Sequence, residues 1–284
     1  MYNFLYTIFS TPFGYVMRLI YQFVQDYALS IFLFALLVKI LMLPLTFKQK
    51  RSMMEVQRIQ PKLEKIRKTY AMDQRRMQEE MQNLYEKEGV SPSAGCGTSL
   101  IILPIMIGLY GVILKPLTYF MQLTAAQISE IASRLSFTAS NAYSEIGLAG
   151  EIFKHFDQVA DVSQKLMPVS FTLGPIDLTQ SANMKQLTVQ WVIPVLAGLT
   201  SLGFSWLQQK LMNTNKNADP AARASGNMML WMMPIMSVWF CFMLPAGLGV
   251  YWISNNILSA VQEFFMSKWT KKQMEKAESQ GQLN

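Results

Sequence analysis

The stretch ALSIFLFALLVKILMLPLTF, from Ala28 to Phe47, decides how the rest of the chain is read. It carries one charge, Lys39, in an otherwise apolar run. A bilayer core about 30 Å thick is crossed by about 17–25 mostly apolar residues in a helix, the form in which every backbone donor and acceptor is satisfied internally. Four more stretches pass the same test: Thr98–Leu114, Val189–Leu207, Met228–Leu244 and Ala246–Met266. Composition agrees. The 284 residues are 51% hydrophobic and only 15% charged, with a mean hydropathy of +0.19, whereas soluble domains carry about a quarter charged residues. The sequence predicts an all-α polytopic membrane protein with five transmembrane helices.

Working outward from these spans divides the chain. Residues 1–27 are apolar and aromatic, interrupted by Thr11, Pro12 and Gly14, without a basic n-region or A-x-A cleavage site. They read as an interfacial amphipathic helix on the outer side rather than a cleaved signal, with Tyr2, Phe4, Tyr6, Phe13, Tyr15 and Tyr21 at headgroup depth. Between spans lie residues 48–97, 115–188 and 208–227, and residues 267–284 form a tail. Of the 25 basic residues, eighteen fall in 48–97, 208–227 and the tail, which share one side if five spans alternate. The positive-inside rule places that side in the cytoplasm, with the N-terminus out and the C-terminus in.

Segment 48–97 is too polar to span and too regular for a plain loop. Val56, Ile59, Leu63, Ile66 and Tyr70 recur at spacings of three and four, as on one helix face. Pro61 suits the first turn of a helix, so one is expected from Pro61 to Tyr70. Asp73 is the expected N-cap of a second helix, Gln74–Glu88, and Gly89 its stop. The pair forms a cytoplasmic helical hairpin, with Pro61, Lys62, Met77, Met81 and Leu84 as candidate docking residues. Its methionines are polarizable and flexible, which suits varied apolar partners.

Lys39 is the residue that calls for an explanation. It lies eight residues, about 12 Å, from Phe47, and a lysine side chain reaches only about 6 Å, so snorkelling falls short. A central lysine costs roughly 2.5–3.5 kcal/mol on insertion scales. Inside the five spans the nearest acid is Glu263, at the inner end of the last, so a water-filled recess is the expected compensation. Candidate lining residues are Ser99, Gln190, Thr200, Ser201, Ser237, Asn255 and Asn256. A neutral lysine bonded to a carbonyl freed by a proline is the structural alternative. With two cysteines and one histidine, His155, the sequence supports neither a metal site nor nucleophilic catalysis.

The motifs then resemble a known family. They are Leu37-Val38-Lys39-Ile40-Leu41-Met42-Leu43-Pro44-Leu45-Thr46, Ile59-Gln60-Pro61-Lys62-Leu63 and Leu84-Tyr85-Glu86-Lys87-Glu88-Gly89-Val90-Ser91-Pro92. With them come Leu103-Pro104-Ile105 and the last hairpin, Leu244-Pro245-Ala246-Gly247-Leu248-Gly249-Val250-Tyr251-Trp252, followed by Ser254-Asn255-Asn256. In order and spacing these resemble the YidC/Oxa/Alb membrane protein insertases over about residues 1–270. The resemblance implies five helices around a hydrophilic groove open to the cytoplasm, and insertion and folding of other membrane proteins, alone or beside the Sec translocon. It implies no nucleotide and no cofactor. The implied partners are nascent membrane proteins and the bilayer of a bacterial plasma or inner membrane, with transient ribosome contact through a short basic tail. Bacterial members have an arginine where this chain has Lys39; lysine keeps the charge but not the planar fork. The chain also lacks the large outer domain of Gram-negative members and the lipobox cysteine of many Gram-positive ones. A passive assembly scaffold and a small-solute transporter are the competing functions. Midplane carboxylates and internal repeats, which mark transporters, do not occur here.

Overall fold

In a computed structural model the described residues are predominantly helical. The structure describes residues 2–91, 96–138, 143–212 and 220–279. Among the described residues, nine α-helices follow in order: α1 (Tyr2–Val24), α2 (Tyr27–Thr69), α3 (Gln74–Glu88), α4 (Cys96–Leu114), α5 (Ala125–Arg134), α6 (Ser144–Lys154), α7 (Val192–Met212), α8 (Pro220–Met243) and α9 (Ala246–Ser279). By length and composition, α2 and the helical stretch Val189–Leu211 contain windows able to cross a membrane; Pro104–Leu114 and Trp231–Met243 are shorter apolar helices. The chain divides into two compact units. One comprises Met1–Lys39, Ile102–Ser201 and Pro234–Asn256; the other comprises Ile40–Ile101, Leu202–Met233 and Ile257–Asn284.

In the first unit, α1 runs through Pro12 without a break. Met17 and Ser10 are buried on one face, and Ile8, Tyr15, Leu19 and Phe23 are exposed on another. The side chains of Tyr2, Phe4 and Tyr6 lie outside the described residues. Arg18 ties α1 to the segment that follows α4, donating to the carbonyls of Met121 (3.1 Å) and Lys165 (3.4 Å). A single π-helical turn, Pro116–Phe120, opens that segment. Tyr27 meets the rings of Phe120 and Phe171 edge-on, at 5.9 and 4.5 Å. Thr124 and Gln127 form a reciprocal capping box at the start of α5, which satisfies two otherwise orphaned amides.

Among the described residues of 115–188, Ile131, Ile146, Ile152, Val159, Leu166 and Phe171 are buried, which the sequence reading did not anticipate. They also depart from an all-helical fold: β1 (Thr172–Leu173) pairs antiparallel with β2 (Ile176–Asp177) across Gly174-Pro175. Glu145 is buried against the π-turn. Its carboxylate accepts from the Thr118 amide at 2.6 Å and the Thr118 hydroxyl at 3.1 Å. Burial pushes its pKa above the ordinary carboxylate range, against the lowering effect of the two Thr118 bonds.

In the second unit, α2 and α3 make the expected hairpin, with one correction. Pro61 does not begin a helix; α2 continues through it to Thr69. A mid-helix proline forfeits a hydrogen bond and crowds the preceding turn, at roughly 3 kcal/mol. Packing on either side offsets this, because Ile59 and Leu63 are fully buried with Val90 against Val56, Met81, Leu84 and Tyr85. The far helix follows local signals closely. Asp73 accepts from the Arg76 amide at 3.0 Å. Gly89 closes α3 at φ 64°, ψ 26°, a left-handed conformation that glycine adopts without a Cβ penalty. Glu88 ties the two helices together, pairing with Lys62 and, at 3.1 Å, with Arg58. The Lys62 bond, with the nearby cations, holds the Glu88 pKa below its ordinary value.

Candidate functional site

The polar residues expected to line a recess are brought together in part. Within the first unit, α7, α8 and α9 share a seam of side-chain hydrogen bonds. Trp252 Nε1 donates to Ser237 Oγ at 3.0 Å, and the Ser237 hydroxyl donates on to Ser201 Oγ at 3.2 Å. Beside this relay, Asn256 Nδ2 donates to Thr200 Oγ1 at 3.3 Å. The Thr200 hydroxyl spends its own proton on the Leu196 carbonyl, 2.7 Å away, which leaves its lone pairs to accept. Ser201, Ser237 and Asn256 are all buried. Buried hydroxyls and amides are costly unless paired. Each here has a partner on another helix, so the seam fixes helix register as well as concentrating polarity.

The other candidates lie elsewhere. Lys39 is half-buried on α2, in the same unit as the seam. Asn255 is half-buried next to Asn256 and joins none of the bonds above. Gln190 is one turn ahead of α7 and donates to the Asp177 backbone carbonyl at 3.1 Å, which ties it to the β-hairpin rather than to Ser201 or Ser237. The side chain of Ser99 lies outside the described residues. Trp252 was missed in the sequence, where an aromatic residue in an apolar span reads as packing. The signal that could have found it is its indole N–H, which needs an acceptor wherever it is buried.

On the hairpin, the five candidate docking residues divide in the same way. Pro61 and Lys62 are exposed, and Lys62 is committed to Glu88. Met81 and Leu84 pack into the hairpin's own core, and Met77 is half-buried. An open recess of about 620 Å³ beside α3 is lined by Gln78, Met81, Gln82, Tyr85, Glu86 and Val90.

Further along α2 and α9 lie pairings that sequence spacing does not reveal. There, in the second unit, Lys50 pairs with Glu263, their side chains only 6% and 12% exposed. Ser267 donates to the same carboxylate at 2.9 Å. Gln262 donates to Thr46 Oγ1 at 2.7 Å, and Phe47 meets Trp269 edge-on at 5.0 Å. Lys210 lies 4.9 Å over the Trp206 ring and Lys268 lies 4.0 Å over Phe264. Such cation–π pairs keep a charge favourably placed against an apolar surface. Among the described residues, no cluster of His, Cys, Asp and Glu could hold a metal ion.

Residues 19–274 match the family described as the 60Kd inner membrane protein. The chain belongs to the YidC/Oxa/Alb family. Among its relatives is the membrane protein insertase YidC of Oceanobacillus iheyensis, 30% identical over 270 residues, covering 92% of this chain and 83% of the relative. The YidC of Fusobacterium nucleatum subsp. nucleatum is 27% identical over 266 residues, 94% and 98% of the two chains. The insertase MisCA of Bacillus subtilis is 29% identical over 249 residues, 85% and 70% of the two. In this YidC/Oxa/Alb chain, the seam on α7, α8 and α9 and Lys39 on α2 place polar groups within otherwise apolar stretches of their helices.

Proposed function

We propose that this chain is a membrane protein insertase and chaperone of a bacterial plasma or inner membrane, acting on nascent membrane proteins. Family membership carries the reading. The buried seam of Thr200, Ser201, Ser237, Trp252 and Asn256 supports it, because paired polar groups persist in a bilayer only where they meet one another or a hydrated path. Five spans, Ala28–Phe47, Thr98–Leu114, Val189–Leu207, Met228–Leu244 and Ala246–Met266, carry the chain from an outer N-terminus to a cytoplasmic tail. Lys39 supplies a cation to a hydrophilic groove that attracts acidic and polar segments of a passing client. The α2–α3 hairpin docks nascent clients on the cytoplasmic side, the chain works alone or beside the Sec translocon, and the short basic tail makes transient ribosome contact. Neither a nucleotide nor a covalent step is needed, because lipid partitioning of the client's apolar segments drives the transfer.

The test uses two matched clients, one with an acidic translocated tail and one with a neutral tail, read by protease protection. Lys39→Met should accumulate normally, insert the neutral client and fail the acidic one. Lys39→Arg should insert both, and Lys39→Glu should be the weakest with the acidic tail. Equal insertion of both clients by the Met and Glu variants would remove the cationic groove from the mechanism. Absence of crosslinks from Ser201 or Ser237 positions to either client would favour a passive scaffold.

A further inference from the structure

The segment 176–180 makes a set of bonds out of proportion to its length. The Asp177 carboxylate folds it into a tight turn. Oδ1 accepts from the Thr179 amide at 2.9 Å and the Thr179 hydroxyl at 2.7 Å, and Oδ2 accepts from Gln180 Nε2 at 2.9 Å. The Leu178 amide is anchored on the Phe171 carbonyl at 2.8 Å. So shaped, the turn offers its carbonyls to other elements. Gln180 O accepts from the Ala246 amide at 2.8 Å, Leu178 O accepts from the Gly247 amide at 2.9 Å, and Asp177 O accepts from Gln190. On its other side, Thr179 lies against α6, its Cγ2 3.2 Å from where a Cβ on Gly150 would be.

Ala246 and Gly247 open α9, and the first amides of a helix have no intrahelical acceptor. A side-chain oxygen just before the helix ordinarily supplies one, but Pro245 has none. The acceptors come instead from a segment far away in sequence. Ala246, Leu248 and Leu178 are all buried, so water does not substitute and the two amides depend on the strap. Trp252 and Asn256 follow Gly247 on the same helix, about 7.5 and about 13.5 Å further along at 1.5 Å per residue. The strap therefore sets the height and rotation at which α9 presents its seam donors to Ser237 and Thr200.

We propose that residues 176–180 are a latch that indexes α9 against α7, with Asp177 as its positioning residue. The proposal rests on the insertase reading for its consequence, since a slipped α9 would disorder the seam that clients pass. Asp177 touches no client; it acts through the carbonyls of Leu178 and Gln180. Loss of the latch should therefore impair acidic and neutral clients alike, unlike loss of Lys39.

The experiment measures amide hydrogen exchange at Ala246 and Gly247 in the full chain in proteoliposomes, with insertion of both clients followed in the same preparations. Asp177→Ala should raise exchange at these two amides on the order of tenfold, the equivalent of one charge-assisted hydrogen bond, and lower insertion of both clients by a similar factor. Asp177→Asn should retain protection and insertion, because its Oδ1 still accepts from Thr179 and the Gln180 amide can turn to meet the new donor. If Asp177→Ala does not accumulate, Thr179→Val removes one turn bond at constant shape and should give a smaller rise at the same amides. Unchanged exchange in whichever variant accumulates overturns the latch, and so does raised exchange with undiminished insertion. Should the unsubstituted chain insert neither client, the insertase reading fails, while the exchange measurements still decide whether the strap holds α9.

Discussion

Replacing Lys50 or Glu263 alone is expected to be more damaging than replacing both. At 6% and 12% side-chain exposure, the pair is closer to the buried limit than to an exposed surface pair, whose contribution is about 0–1 kcal/mol. Two unit charges in contact near a protein surface attract by roughly 4 kcal/mol. Desolvating them costs several kcal/mol per ion, so the intact pair comes out near neutral. Removing one partner leaves the other buried and uncompensated, at about 3–5 kcal/mol. Lys50→Met and Glu263→Leu should each lose that much, although Ser267 partly compensates Glu263 and so softens the Lys50 variant. The double variant should recover to within about 1 kcal/mol of the parent, giving a coupling of several kcal/mol. SDS titration in bicelles, followed by tryptophan fluorescence, reads all four corners of the cycle. Additive single effects below about 1 kcal/mol would refute the argument, since they are what a solvated pair gives.

Two further outcomes follow from the same kind of reasoning. Ser237→Ala leaves the Trp252 indole N–H without its acceptor and should cost about 1–3 kcal/mol, whereas adding Trp252→Phe removes the orphaned donor and should recover part of that loss in the same titration; a double variant weaker than the sum of the singles would show that the seam is not paired in this way. For Glu145, the folded chain holds its proton more tightly than the unfolded chain does. Its contribution therefore favours folding as pH falls toward the ordinary carboxylate range and is lost as pH rises through the elevated pKa. Glu145→Gln should flatten the pH dependence of thermal unfolding across that window, and an unchanged slope would contradict the burial argument.

What the sequence determined by itself was whatever short-range physics decides. A long apolar run announces a membrane helix because of what lipid cannot hydrogen-bond. Asp73 and Gly89 bound α3 because a side-chain acceptor and a left-handed residue act within one turn of their own position. Lys39 marks itself because it is the one charge in the apolar run from Ala28 to Phe47. Pro61 was misread for the complementary reason: the local penalty was known, but the compensating contacts of Ile59 and Leu63 with Val90 come from across the hairpin. Pairings between distant residues were out of reach. Glu263 finds Lys50 213 positions away, Trp252 finds Ser237 on the neighbouring helix, and Gly247 finds the carbonyl of Leu178 through a strap with no periodicity to announce it. Many serines, threonines and asparagines in apolar helices could have formed the seam. Of the seven polar candidates read from the sequence, the packing of α7, α8 and α9 joined Thr200, Ser201, Ser237 and Asn256, because a hydrogen bond is won within about 3.5 Å and lost beyond it.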